Sequence, residues 1–138
     1  MTRYIIDASA TGPIIIPDEA YGLIKGLPEI LAGEAIIVPS DWRLEVANLA
    51  LMAVHRKRMS PDLVTKNIAL MSTFNIVTDD QTVARAWHYT LELASRHTLT
   101  AYDAAYLELG LRLSATLITQ DRKLAAAGRA EQIEVITQ

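Results

Sequence analysis

Four carboxylates of this chain stand where folding alone gives little reason to place them. Asp7 closes the apolar run Tyr4-Ile5-Ile6, and Asp121 closes the run that begins at Ala115. Glu45 and Asp103 interrupt the apolar faces of two expected helices. Gathered at one end of a parallel sheet, four like charges would repel one another unless a counter-charge held them. A hard divalent cation, Mg²⁺ or Mn²⁺, suits oxygen ligands of this kind. Carboxylate-held ions of that class support hydrolysis of phosphodiesters by activating water and neutralising developing charge.

Each acid also has a plainer reading. Asp7, followed by Ala8-Ser9, can cap a helix, and Asp121 can cap one starting at Arg122. Asp103 lies three residues after Thr100, the spacing of a capping box, although such boxes favour Glu or Gln at that position. Glu45 shares a helical face with Trp42, Asn48, Leu49 and Met52. A carboxylate there is costly unless paired or coordinated, and a buried ion pair with Arg is the competing account. Asp79-Asp80 also follow a strand, but their place before a long helix points to capping. His55, His88 and His97 have neither metal-ligand spacing nor an adjoining nucleophile. His55-Arg56-Lys57-Arg58 reads as a solvated, dipole-compensating helix end, with an RNA or partner contact as the lesser alternative.

The elements that must position these acids alternate in order. Short runs rich in Ile and Val at 4–7, 35–38, 75–78, 116–119 and 133–136 read as buried parallel strands. Helices fill the gaps. Pro17-Asp18-Glu19 opens one, which Gly26 and Pro28 break in two. Ser40 is expected to cap a helix to about residue 59, Ser60 the next, Asp80 one reaching about residue 97, and Thr100 one ending near 113. A short helix follows Asp121 with Gly128 as its stop. Strand–helix alternation without hairpin signals means an α/β fold, and right-handed crossovers put helices on both faces of its parallel sheet. Ligands of such sheets bind beyond the carboxyl ends of strands, where Asp7 and Asp121 lie.

The totals agree with one domain spanning residues 1–138. The chain has no cysteine, which excludes disulfides, zinc thiolates, iron–sulfur clusters and cysteine nucleophiles and fits a reducing cytoplasm. The N-terminus enters a strand at once, without the apolar region of a signal peptide, and no segment is long and apolar enough for a membrane. The net charge of −3 argues mildly against bulk electrostatic binding to nucleic acid. Without the four acids above, however, the 16 acidic residues fall to 12 against 13 basic ones, so the acidity is largely that of the candidate site.

Asp7-Ala8-Ser9 after the first strand, the segment from Pro39 to Asn48 around Glu45, the segment from Leu99 to Leu109 around Asp103, and Thr119-Gln120-Asp121-Arg122-Lys123-Leu124 together resemble the motifs of PIN-domain proteins. More narrowly they resemble the VapC-type toxins of bacterial toxin–antitoxin pairs. The resemblance covers nearly the whole chain. It implies a parallel sheet in the order 3-2-1-4-5 and a Mg²⁺- or Mn²⁺-dependent ribonuclease. Its acidic site would be Asp7, Glu45, Asp103 and Asp121, with Ser9 and Thr119 as polar helpers. It also implies a homodimer and a small VapB-like antitoxin that blocks the site. One local departure is Thr11-Gly12-Pro13-Ile14-Ile15-Ile16-Pro17, whose prolines imply a short, irregular first helix.

Two other classes stay in view. A strand-end-aspartate phosphatase of the haloacid-dehalogenase type wants a second acid two residues after the first, where this chain has Ser9. A non-catalytic interaction module of the same fold could use its acids to bind arginines of a partner.

Overall fold

The computed structural model describes residues 2–138 of the chain. Its sheet is built from β1 (Tyr4–Ile6), β2 (Ile36–Val38), β3 (Ile76–Thr78), β4 (Thr116–Ile118) and β5 (Val135–Ile136). All pairings are parallel, in the order β3-β2-β1-β4-β5. This is the expected 3-2-1-4-5 arrangement, with each strand a residue or two shorter than the apolar run that encodes it. The residues trimmed from the carboxyl ends of the first and fourth runs, Asp7 and Thr119, are hydrogen-bonded to each other. Ile5 and Ile6 of the central strand and Leu117 and Ile118 beside them are fully buried. Burial on both faces is why these strands read as unbroken apolar runs.

The helices are α1 (Ala8–Ile15), α2 (Leu27–Gly33), α3 (Trp42–His55), α4 (Pro61–Met71), α5 (Thr82–Arg85), α6 (Leu91–His97), α7 (Ala101–Leu113) and α8 (Arg122–Ala130). They cover both faces of the sheet. The irregular start is as the two prolines require. Pro13 lies inside α1, and Pro17 begins a 3₁₀ turn over Pro17–Gly22. Ser60 and Thr100 cap α4 and α7 as expected, accepting from the amides of Leu63 and Asp103.

Three local expectations are corrected. Asp41 and Gln81, rather than Ser40 and Asp80, occupy the cap positions of α3 and α5, and neither makes a side-chain cap bond. The helix expected to run unbroken to His97 contains a π turn at Ala86–Thr90, which leaves Trp87 86% exposed. Gly128 does not end α8. A β-carbon on it would stand 2.9 Å from Val135 Cγ2, so this glycine lets the helix press against β5. Beta-branched Val135 has little freedom to swing aside.

Asp79 has a role that its position before a helix did not disclose. It accepts from both terminal nitrogens of the Arg112 guanidinium, Nη1 and Nη2, at 3.0 and 2.8 Å. Arg112 also bonds Glu108, which a second arginine, Arg85, meets from the other side. Asp79, Glu108 and Arg112 are all largely buried. This lock joins the end of β3 and the end of α5 to α7. Burial works to raise the Asp79 carboxyl, but Arg112 and the Thr82 hydroxyl outweigh it and hold it below the ordinary value. Arg58 is likewise engaged, with Asp18 and Glu19, so the basic run at 55–58 is not wholly a solvated helix end.

Replacing Arg112 with Met leaves Asp79 and Glu108 short of their main counter-charge. A loss of about 3 kcal/mol in urea unfolding at pH 7 is expected, the size typical when one partner of a buried pair is removed. Asp79 is depressed in the folded state, so its contribution is complete above its ordinary value of 3.8 and disappears as pH falls through the lower folded value. Arg112→Met should therefore flatten the acid limb of the stability–pH curve. An unchanged curve and stability would show the lock to be energetically silent.

Candidate active site

The site begins at the end of β1. Asp7 is 4% exposed, and its carboxylate meets three donors. Ser9 Oγ donates at 2.7 Å, Thr119 Oγ1 at 2.6 Å and the Ala10 amide at 3.1 Å. The acceptor sides of both hydroxyls are filled by backbone amides, Ser9 Oγ by Gln120 N and Thr119 Oγ1 by Asp121 N. Their protons are thereby turned toward Asp7. The bond from Ala10 is also a helix cap, so Asp7 both starts α1 and belongs to the acidic cluster. The plainer reading, a helix cap, is met, and it leaves the sharper one open.

Asp121 repeats the pattern at the end of β4. Its Oδ1 caps α8 by accepting from Lys123 N and Leu124 N, at 2.9 and 3.0 Å. Thr119 thus ties the backbone at Asp121 to the side chain of Asp7, joining two strand ends through one hydroxyl.

Glu45 and Asp103 come from the first turns of α3 and α7. Glu45 is half-buried and forms no ion pair with Arg. Its Oε1 instead accepts from the Tyr106 hydroxyl at 2.8 Å. Tyr106 is 1% exposed and lies one turn beyond Asp103. On sequence it was not singled out, and its spacing from Asp103 is the one signal that could have done so. The Asp103 amide completes half of a capping box with Thr100 Oγ1.

The four acids share one electrostatic neighbourhood. Burial pushes Asp7 up, the bonds from Thr119, Ser9 and Ala10 offset part of this, and Asp121 adds to the rise. Glu45 is raised by burial first, then by Asp103, Asp7 and Asp41, against the hydrogen bond from Tyr106. Asp103 is raised by burial and by Asp121, with Lys123 pulling the other way. Burial and the same acids push the Tyr106 phenol well above its ordinary range, so it remains a donor. Among the described residues, none of the four acids has a Lys, Arg or His within ion-pair distance. The chemistry therefore fits a hard cation, with oxygen donors and an unmet need for positive charge. Among the described residues no three His, Asp or Glu groups already close to ligand distance, so the fit is one of donor type and charge rather than of a finished cage.

The sequence model of the PIN domain matches residues 4–130 of this chain. Among solved structures, PAE2754 from Pyrobaculum aerophilum superposes with a TM-score of 0.71 at 21% identity, over 97% of this chain and 83% of that one. VapBC2 from Rickettsia felis, bound to a DNA fragment from their promoter, gives 0.57 at 15% identity, over 97% of each chain. A domain of a functionally unknown protein from Methanocaldococcus jannaschii gives 0.51 at 13% identity, over 100% of this chain and 91% of that one. At these identities the likeness is one of fold. No curated protein matches the sequence.

Asn caps helices as well as Asp does and brings no charge into the burial. The Asp7→Asn chain without metal should therefore melt at or above the wild-type temperature. Mn²⁺ should stabilise the wild type and leave Asp7→Asn unmoved, because a ligand stabilises only the state that binds it. Thermal melts with EDTA and with Mn²⁺ measure both. A marked loss of stability in the EDTA arm would mean that Asp7 serves the fold alone.

Proposed function

The chain belongs to the PIN-domain family, and from that premise we propose that it is a metal-dependent endoribonuclease, the toxin of a VapBC-type toxin–antitoxin pair. The observation that carries this reading is the shared electrostatic neighbourhood of Asp7, Glu45, Asp103 and Asp121 around the carboxyl ends of β1 and β4, where among the described residues none of the four has an ion-pair partner and only Lys123 acts on one of them from farther off. Asp7 and Asp103 would hold a Mg²⁺ or Mn²⁺ ion, with Asp121 joining directly or through water. Such an ion supplies charge neutralisation at the scissile phosphate and a more acidic water. Ser9 and Thr119 keep Asp7 oriented toward the site. Glu45 completes the ligand shell or positions the attacking water. Lys123, close enough to Asp103 to lower its carboxyl, would meet a substrate phosphate, and exposed Tyr102 offers a base a surface for stacking. Water attack leaves a 5′-phosphate and a 3′-hydroxyl.

An antitoxin partner is supported by the VapBC2 likeness and by an apolar groove of about 730 Å³ between α3 and α4, lined by Val46, Ala50, Leu51, Val64 and Ile68 among others. Buried Trp42 borders this groove with an indole N–H that has no partner among the described residues. A homodimer is supported by the exposed apolar side chains Leu44 and Leu51 on α3 and Val83, Trp87 and Leu91 on the α5–α6 segment. Among the described residues no helix is long and apolar enough to cross a membrane, and a cytoplasmic place accords with the absence of cysteine. A phosphatase is disfavoured by Ser9, which stands where a second acid is required.

Purified protein free of antitoxin should cut single-stranded or looped RNA with Mg²⁺ or Mn²⁺, and EDTA should stop it. Asp7→Ala and Asp103→Ala should each lower the cleavage rate by roughly 100-fold or more, since removing a direct ligand should exceed the 10–100-fold typical of groups that only support one. End analysis should find 5′-phosphates. Cyclic 2′,3′-phosphates, or cleavage that survives EDTA, would overturn the mechanism.

A further inference from the structure

Beyond the four acids, one hydroxyl touches one of them and belongs to none. We propose that Tyr106 is a positioning residue for the metal site, holding Glu45 in place through its hydroxyl. This rests on the nuclease reading for what the site does, but not for the contact itself. Tyr106 Oη donates to Glu45 Oε1 at 2.8 Å, and among the described residues this is the one side-chain hydrogen bond between α3 and α7. Those two helices bring Glu45 and Asp103 to the site from different parts of the chain, 58 positions apart in sequence. Asp103 and Tyr106 are three residues apart on α7, so their side chains lie on neighbouring parts of one helical face. A single bond from Tyr106 therefore sets the Glu45 carboxylate relative to Asp103.

Two features make the tie specific. Tyr106 is 1% exposed, so the ring has no freedom to swing and its hydroxyl reaches one place. Glu45 has no other described hydrogen-bond partner for its carboxylate, and one oxygen is left open while the other is held. A carboxylate fixed by one oxygen and free at the other is what a ligand, or an orienting group for water, requires.

The test is a cycle of Tyr106→Phe, Glu45→Gln and the double variant, read by calorimetric titration with Mn²⁺ in the absence of RNA. Tyr106→Phe removes one oxygen from a buried ring and should keep a cooperative melt. It should weaken Mn²⁺ binding about tenfold, the low end for groups that orient a ligand. In the Glu45→Gln background the same change should cost little further, because the carboxylate it would position is gone. Equal losses in both backgrounds would assign Tyr106 a purely structural role, and wild-type affinity in Tyr106→Phe would overturn the proposal. Should Tyr106→Phe not fold, Mn²⁺ added to the wild type should shift the tyrosine ultraviolet absorbance, and Glu45→Gln should abolish that shift. Its persistence in Glu45→Gln counts against the proposal. Mn²⁺ binding without any RNA cleavage would end the nuclease reading and leave the Tyr106–Glu45 coupling to be judged by the cycle.

Discussion

Asp7 is buried, charged by nature and surrounded by donors that carry no charge. Much of the carboxyl edge is organised around that constraint. Burial disfavours its ionised form, and the protein answers with hydroxyls and an amide rather than a guanidinium. An arginine would have settled the electrostatics and ended any affinity for a cation. Neutral donors orient the carboxylate and leave the charge unmet. The two hydroxyls are in turn fixed by the amides of residues 120 and 121, so the loop after β4 is set by the same atoms that set the side chain after β1.

Elsewhere the chain handles acids in the opposite way. Glu108 is as buried as Asp7 and Asp79 is partly buried, yet they are answered by Arg112 and Arg85. That cluster is closed, with its charges matched inside the fold, and it braces α7, the helix that carries Asp103 and Tyr106. The contrast separates two kinds of buried carboxylate by the company they keep. Those with guanidinium partners have their charge matched inside the fold, whereas Asp7, with only hydroxyl and amide partners, does not.

What was legible in the sequence follows from where the information is local. The strands could be read because burial on both faces writes an unbroken run of Ile and Val. The candidate acids stood out because a carboxylate at a strand end or on an apolar helical face contradicts its surroundings. Tyr106 could not be read, since a tyrosine among leucines is what a core helix shows anyway and its hydroxyl partner is 61 positions away. Nor could the lock on Asp79, because the choice between capping the next helix and bonding Arg112 is made by tertiary packing. Gly128 misled for a similar reason. In sequence it looks like a stop, and only the approach of Val135 reveals why a side chain is missing there. The π turn at Ala86–Thr90 is encoded by nothing as explicit as a proline.

The two tryptophans give the molecule an optical asymmetry. Trp42 is 4% exposed beside the α3–α4 groove, while Trp87 stands on the π turn at 86% exposure. Intrinsic emission is thus a sum of a shielded, blue-emitting indole and a wet, red-emitting one. A small collisional quencher reaches the second far more readily than the first. Whatever seats itself in the groove alters the blue component, and whatever covers the π turn alters the red. The chain carries a two-colour label for its own surfaces, with no dye attached.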